Sequence, residues 1–342
     1  MKVVLITGGA GFMGSNFVRY LFHNYPDYKI IVLDALTYAG NVDNIPEKMK
    51  KDPRFSFWYG NVRNGELVNE LVSQSDVVFH FAAESHVARS IFDNAIFFET
   101  DVLGTQVVSN AVLKNRDTVE RFIHISTSEV YGTALTVPMS EDHPLNPTSP
   151  YAGAKTGADR LVYSYWFTYK IPAIIIRPFN NYGPSQHLEK VIPRFITSAI
   201  LDEPLTVHGT GESTRDWLYV ADLCKALDKV MHINIDAVKG QVINLGTGRD
   251  TAIREIAEKV LEKFNKPKSL IVNTSDRYGQ VLRHVSSTQK ALDLLDWEAD
   301  TSFDKGLDET IEWYKQNQEW WQKQLWMRHV PMKTSDGKIV YY

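Results

Sequence analysis

Through the first half of the chain, short runs of apolar and β-branched residues alternate with longer stretches of helical periodicity. The runs Val3–Thr7, Ile30–Leu33, Phe55–Tyr59, Val77–Phe81, Arg121–Ser126 and Ala173–Arg177 are close to continuous in apolar character rather than alternating. Strands buried on both faces read this way, and such strands belong to parallel sheets. Between them Gly14–Tyr25, Gly65–Ser73 and Phe97–Asn115 read as helices, and Pro150–Tyr169 as a further helix with proline in its first turn. Right-handed crossovers then predict an α/β fold, a doubly wound parallel sheet with helices on both faces.

Beyond Arg177 the pattern changes. Asn180-Asn181-Tyr182-Gly183-Pro184 is turn-rich, and the periodic segments that follow are shorter. Helices are predicted at Lys190–Leu201, Val220–His232, Ala252–Phe264, Thr288–Leu295 and Phe303–Gln318, forming a small lid. The expected organisation is a nucleotide-binding domain over 1–178, a smaller mixed C-terminal substrate lobe over most of 179–322 with room for the chain to cross back to the sheet, and a tail over 323–342. Trp320, Trp321 and Trp326 lie close together and are expected to pack on their own domain.

Composition narrows the class of partner. In 342 residues, Lys+Arg 37 against Asp+Glu 41 gives a net charge of −4 with no sustained basic run, which argues against nucleic acid. One cysteine, Cys224, excludes an internal disulfide and a cysteine-cluster metal site, so a reducing, cytoplasmic location and no metal are expected. No apolar stretch approaches the length of a membrane span. Small molecules are the expected partners.

Gly8-Gly9-Ala10-Gly11-Phe12-Met13-Gly14 places Gly8, Gly11 and Gly14 directly after the first strand and at the opening of the first helix. The triple alone is weak; its position is what matters. Glycines there permit a tight turn and bring the helix N-terminal amides to a pyrophosphate, the Rossmann arrangement. Asp34 ends the second strand twenty residues past Gly14, where a carboxylate accepts from ribose hydroxyls and repels a 2′-phosphate, so NAD is expected rather than NADP. Tyr151 and Lys155 share a helical face, and a phenol needs a nearby cation to ionise at neutral pH. Tyr25 and Lys29 repeat the spacing around Pro26, where no helix aligns them. Thr127, Ser128 and Glu129 follow a buried strand at its carboxyl end, offering two hydroxyls and one acid/base group.

Together these residues resemble the extended short-chain dehydrogenase/reductase superfamily. Asp34-Ala35-Leu36-Thr37-Tyr38-Ala39-Gly40-Asn41, Ala82-Ala83-Glu84-Ser85-His86-Val87, Glu189-Lys190-Val191-Ile192-Pro193 and Arg215-Asp216-Trp217-Leu218-Tyr219-Val220 are similar to its dTDP-glucose 4,6-dehydratase branch, from residue 1 to about 322. The resemblance implies a cofactor site of Gly8, Gly11, Phe12, Met13, Gly14, Asp34, Asn61, Val62, Ala82, Tyr151 and Lys155. It implies Tyr151 as the base at the sugar 4-hydroxyl, with Thr127 on the same oxygen, and Glu129 as the group removing the C5 proton. It further implies a UDP- or dTDP-linked sugar held by Ser85, His86, Asn181, Lys190, Arg215 and Arg283, and a homodimer packed through the helix of Tyr151.

Three positions depart from the branch. Ser128 stands where Asp protonates the departing C6 hydroxyl, and Ser is a far weaker acid. The Thr-Ser-Glu triplet matches GDP-mannose dehydratases and also UDP-glucuronate decarboxylases. Ala88 replaces an Asp, and Asn61 replaces an Asp at the adenine edge. Dehydration is the leading reading; decarboxylation and epimerisation through the same 4-keto intermediate, and a non-catalytic nucleotide-sugar-binding protein, are the alternatives.

Overall fold

The computed structural model describes residues 1–276, 280–328, 330–333 and 338–341. Seven strands form one parallel sheet: β1 (Val3–Thr7), β2 (Lys29–Asp34), β3 (Phe55–Tyr59), β4 (Val77–His80), β5 (Arg121–Ile125), β6 (Ala173–Pro178) and, far along the chain, Val242–Leu245. The order across the sheet is Val242–Leu245, β6, β5, β4, β1, β2, β3. Val4 is in register with Ile30 on one side and Val77 on the other, so the first strand lies inside the sheet beside the central β4, where the direction of winding reverses. Ligands bind at the carboxyl ends of strands around such a reversal.

Both sheet faces are covered, which explains the unbroken apolar runs. Phe17 and Leu21 of the helix Phe12–Asn24 pack with Leu223 and Leu227 of Val220–His232 on one face. The Phe17 ring centroid lies 4.5 Å from that of Phe79 on β4. On the other face Val68 and Leu71 of Gly65–Ser73, Val108 and Val112 of Thr105–Lys114, and Val162 of Pro150–Tyr169 close a second layer. A separate core joins Phe195, Trp217, Leu261, Ile311 and Trp321 in the other lobe.

The chain does cross back to the sheet, through a strand that no local pattern located: Val242 pairs with Ile175, so the later chain completes the sheet. The lobe is mixed, as expected, with Asn180–Tyr182, Thr214–Tyr219 and Asp250–Ala252 in one small sheet and Leu205–His208 and Ile271–Thr274 in another. Two helix expectations change. Phe97–Asn115 is not one regular helix, because Phe98–Gly104 is wound as a π-helix before Thr105–Lys114 resumes α geometry. Phe303–Gln318 stops at Gln316 and restarts at Gln318. Of the three tryptophans, Trp321 is fully buried and donates to Tyr314 O at 2.8 Å, Trp320 donates to Asn44 Oδ1 at 3.0 Å, and Trp326 stays exposed.

Candidate active site

The first strand ends at a turn that only small residues can make. Gly8 has φ +70°, and a Cβ there would stand 2.6 Å from Ala82 N; a Cβ on Gly14 would stand 2.3 Å from Gly8 O. Gly11 caps the helix Phe12–Asn24 with no side-chain acceptor, leaving the first-turn amides for a ligand. These residues open onto a cavity of about 150 Å³. All eleven expected cofactor residues line it: Gly8, Gly11, Phe12, Met13, Gly14, Asp34, Asn61, Val62, Ala82, Tyr151 and Lys155. Asp34 Oδ2 accepts from Ala10 N at 2.9 Å and Oδ1 from Leu36 N at 2.8 Å, which aims the carboxylate while leaving each oxygen further capacity. Burial pushes Asp34 up and these two amides pull it down. No arginine is among the described residues lining this cavity. A dinucleotide with a free ribose 2′-hydroxyl therefore fits the residues present.

The reactive groups come from two elements. Thr127 Oγ1 accepts from Glu129 N at 3.2 Å, capping the short turn Ser128–Tyr131 directly after β5. Ser149 caps the helix Pro150–Tyr169 by accepting from Ala152 N at 3.1 Å, which sets Tyr151 in the first turn. Lys155 Nζ donates to Ile125 O at 2.7 Å and is 3% exposed. Burial pushes Tyr151 well above its ordinary value; its hydrogen bond with Thr127 opposes this, and Asp101 and Glu129 add to it. These surroundings disfavour the phenolate, so a further positive charge beside it is needed to ionise Tyr151 at neutral pH; burial lowers the Lys155 ammonium, while Asp101 and Asp159 raise it.

The π-helix brings in a residue that sequence reasoning missed. Asp101 is fully buried, its Oδ1 accepts from Glu84 N at 2.8 Å, and its Oδ2 has no hydrogen-bond partner. Burial lifts it to about 7, with Lys155 pulling the other way. No motif marks an acid inside an apolar helical stretch. Thr37 and Gly40, from the segment 34–41, Ser126 at the end of β5, and Thr100 of the π-helix also line this cavity.

A second cavity, of about 300 Å³, lies between the sheet and the lobe. Ser85, His86, Asn181, Lys190 and Arg215, expected to hold a sugar nucleotide, line it together with Thr127, Ser128 and Glu129. Arg283 does not; its side chain is 52% exposed, and its Nε donates to Asp250 Oδ2 at 2.8 Å. That carboxylate, distant in sequence, takes the cation away from the cavity wall. Ala88 lines neither cavity and is buried in the helix Val87–Phe92. The structure adds Arg194, Thr206, His208, Trp217, Gln280 and, from the tail, Val330. Lys190, Arg194 and Arg215 put three cations into the lining of this cavity, which suits a diphosphate. Met13, Ser85, Ser126 and Tyr151 line both cavities, so the phenol stands at their junction.

Among the described residues there is no group of three or more His, Cys, Asp or Glu that could hold a metal ion, and no helix long and apolar enough to cross a membrane.

The family described as GDP-mannose 4,6 dehydratase matches residues 5–310. The low-salt glycan biosynthesis protein Agl12 of Haloferax volcanii is 44% identical over 311 residues, covering 91% of this chain and 98% of its own. Two solved structures of dTDP-glucose 4,6-dehydratase are each 38% identical and cover 94% of this chain and 99% of theirs. One, from Bacillus anthracis in complex with NAD, superposes with a TM-score of 0.87. The other, from Streptomyces venezuelae with NAD and dTDP bound, does so at 0.89.

Proposed function

The chain belongs to the GDP-mannose 4,6 dehydratase family, and from that premise we infer that it is an NAD-dependent nucleotide-sugar 4,6-dehydratase, a lyase. One observation carries the reading to this chain's own residues: Tyr151 stands at the junction of a cavity floored by the glycine turn and Asp34 and a cation-lined one, with Glu129 and Ser128 lining the latter. The substrate is a nucleotide-diphosphate sugar, UDP- or dTDP-linked.

NAD, when bound, removes a hydride from C4 of the sugar and returns it at C6. The amides around Gly11 hold its pyrophosphate, Asp34 its adenosine ribose, and Asn61 and Val62 its adenine edge. Tyr151 Oη, as the phenolate that the positive charge of a bound nicotinamide and the Lys155 ammonium would favour, takes the proton from the 4-hydroxyl, while Thr127 Oγ1 binds the same oxygen. A ketone at C4 makes the C5 proton acidic, and Glu129 removes it. Ser128 meets the C6 oxygen as it leaves with its proton as water, and Glu129 returns a proton to C5. Lys155, tethered to Ile125 O, fixes the position of the cofactor beside Tyr151. Lys190, Arg194 and Arg215 hold the diphosphate.

The finer assignments are part of the same proposal. Residues 1–178 form the NAD-binding domain, completed by Val242–Leu245; most of 179–322 holds the nucleotide sugar, and 323–342 is a tail. The protein acts in the cytoplasm, in keeping with its single, buried Cys224. It is a homodimer, because the helix Pro150–Tyr169 and the adjoining π-helix leave Leu103, Tyr163 and Phe167 exposed on one side. Incubation with a panel of nucleotide sugars, read by product mass, tests the reaction: loss of water supports dehydration, whereas loss of carbon dioxide, or an unchanged mass with an inverted hydroxyl, replaces it.

A further inference from the structure

Behind Ser128, away from the cavity, lies a histidine that no motif marked and the reaction as described does not use. His284 is fully buried. Its Nδ1 is 3.4 Å from Ser128 Oγ and its Nε2 is 2.6 Å from Gly132 O. A ring nitrogen approaches a carbonyl oxygen this closely only as a donor, so Nε2 carries a hydrogen and Nδ1 is the atom left for Ser128. The ring cannot drift: His284 N donates to Thr214 O at 3.2 Å, and the Phe179 ring meets it edge-on at 6.1 Å. The neighbouring backbone is pinned as well, with Met139 N on Val285 O at 2.8 Å and Ser286 N on Asp216 Oδ2 at 3.1 Å. Of the two groups bonded to the imidazole, Ser128 lines the substrate cavity and Gly132 does not. A proton moving between His284 and the cavity has its path through the Ser128 hydroxyl.

Resting on the dehydratase reading, we propose that His284 is a positioning residue acting through Ser128, passing along that hydroxyl the proton with which the C6 oxygen leaves as water. The step balances. As Glu129 takes the C5 proton, the C5–H electron pair becomes the C5=C6 bond and the C6–O bond breaks. Ser128 Oγ–H gives its proton to the departing oxygen, and Oγ takes one from His284 Nδ1–H, leaving a neutral imidazole with Nε2–H still on Gly132 O. The proton that Tyr151 removed from the 4-hydroxyl offsets the one His284 gives up, so no acid is consumed over the cycle. The 3.4 Å contact is long for a resting hydrogen bond, as catalytic contacts are before substrate tightens them.

The charges around the ring indicate when it is ready. Burial pushes His284 below its ordinary value, Glu129 and the Gly132 carbonyl pull it up, and Arg215 and His143 push it down. A diphosphate drawn to Arg215 offsets the repulsion from that guanidinium, so substrate binding favours the doubly protonated ring. Proton supply is therefore linked to nucleotide binding.

The test compares the parent protein with His284→Gln, Ser128→Ala and the double variant, on a nucleotide hexose that the parent dehydrates and on its 6-deoxy-6-fluoro analogue, whose fluoride leaves without a proton. Glutamine keeps an acceptor for Ser128 and a donor for Gly132 O but carries no transferable proton. Water loss should slow about a hundredfold in His284→Gln. C4 oxidation should persist, so that reduced cofactor accumulates, and fluoride should leave at the parent's rate. The double variant should be no slower than Ser128→Ala. In the intact parent, nitrogen NMR should find the Nε2–H tautomer and a His284 titration that moves to higher pH when UDP or dTDP is added. Water loss at the parent's rate in His284→Gln, an equal slowing of fluoride loss, or the opposite tautomer overturns the relay alone. A parent that dehydrates no nucleotide hexose overturns the dehydratase reading and the relay with it.

Discussion

Asp159→Asn removes one charge from an ion pair that has no solvent to fall back on. Asp159 is 0% exposed at its side chain and Arg177 2%. The Arg177 guanidinium donates Nε to Oδ2 at 2.9 Å and Nη2 to Oδ1 at 3.0 Å, Ser126 Oγ donates to Oδ2 at 2.7 Å, and Arg160 donates Nε and Nη2 to Oδ1. An amide offers one oxygen in place of two, and Arg177 keeps its charge inside the protein. Breaking one partner of such a buried pair costs about 3–5 kcal/mol. Unfolding entropy near ~2.1 cal/mol/K per residue, taken over 342 residues, converts this to a melting-temperature loss of roughly 4–7 °C. Calorimetry and urea titration at neutral pH read the loss directly. Replacing both buried partners, Asp159→Leu with Arg177→Met, should recover most of it, since no unpaired charge remains inside the protein and Arg160, 40% exposed at its side chain, can turn to solvent. The pH dependence has a definite sign. Burial opposes the Asp159 charge, but Arg177, Arg160 and Ser126 outweigh it and hold the carboxyl well below its ordinary value. A depressed folded-state pKa gives stability that is complete above the unfolded value, about 3.9, and is lost as pH falls toward the folded one. The gap between parent and variant should therefore be full at neutral pH and close in acid. An Asp159→Asn melting temperature within about 1 °C of the parent, or a double variant as unstable as the single, would refute the reasoning.

Three further outcomes are expected. Asp34→Ala should weaken NAD binding about ten- to a hundredfold and remove most of the preference over NADP, measured by calorimetric titration of both cofactors. Equal affinities in the parent would contradict it. Glu129→Gln should oxidise C4 and stop, so that the absorbance of reduced cofactor builds up and solvent deuterium fails to enter C5; full turnover in that variant would remove Glu129 from the role. Leu103→Glu with Phe167→Glu should halve the mass seen by light scattering at micromolar protein, because both side chains lie on the exposed apolar side of the Tyr151 helix and its neighbour; a monomeric parent would dispose of the dimer.

What could be read from the sequence depended on whether a feature was local. The strands from Val3–Thr7 to Ala173–Pro178 were legible because burial on both faces writes itself as unbroken apolar runs. The cofactor cavity was legible because its floor is a strand, a turn and a helix start that follow one another in the chain. Val242–Leu245 was passed over because four residues between Gly240 and Gly246 carry too little pattern, and only pairing with Ile175 and Ile176 makes them a strand. The π-helix Phe98–Gly104 changes hydrogen-bond register without changing residue type, so Asp101 had nothing to announce it. Arg283 was placed on the substrate by resemblance alone, while Asp250, thirty-three residues away, pairs with it outside the cavity lining. His284, beside it, was invisible until the turn after Arg121–Ile125 came within reach.

The late strand Val242–Leu245 also bears on how the protein is born. When residue 178 has left the ribosome, β6 has β5 on one side and nothing on the other. Its edge, centred on Ile174, Ile175 and Ile176, stays open until the 67 residues from 179 to 245 have been made. At about 5–20 residues per second, the nascent chain carries an uncovered, strongly apolar strand for roughly 3–13 s. Such an edge templates pairing with other chains. Translational pauses placed between these two strands would lengthen the exposure, and chaperones that shield nascent chains would find their main target there, so soluble yield should depend on codon choice across residues 179–245 more than on codon choice elsewhere.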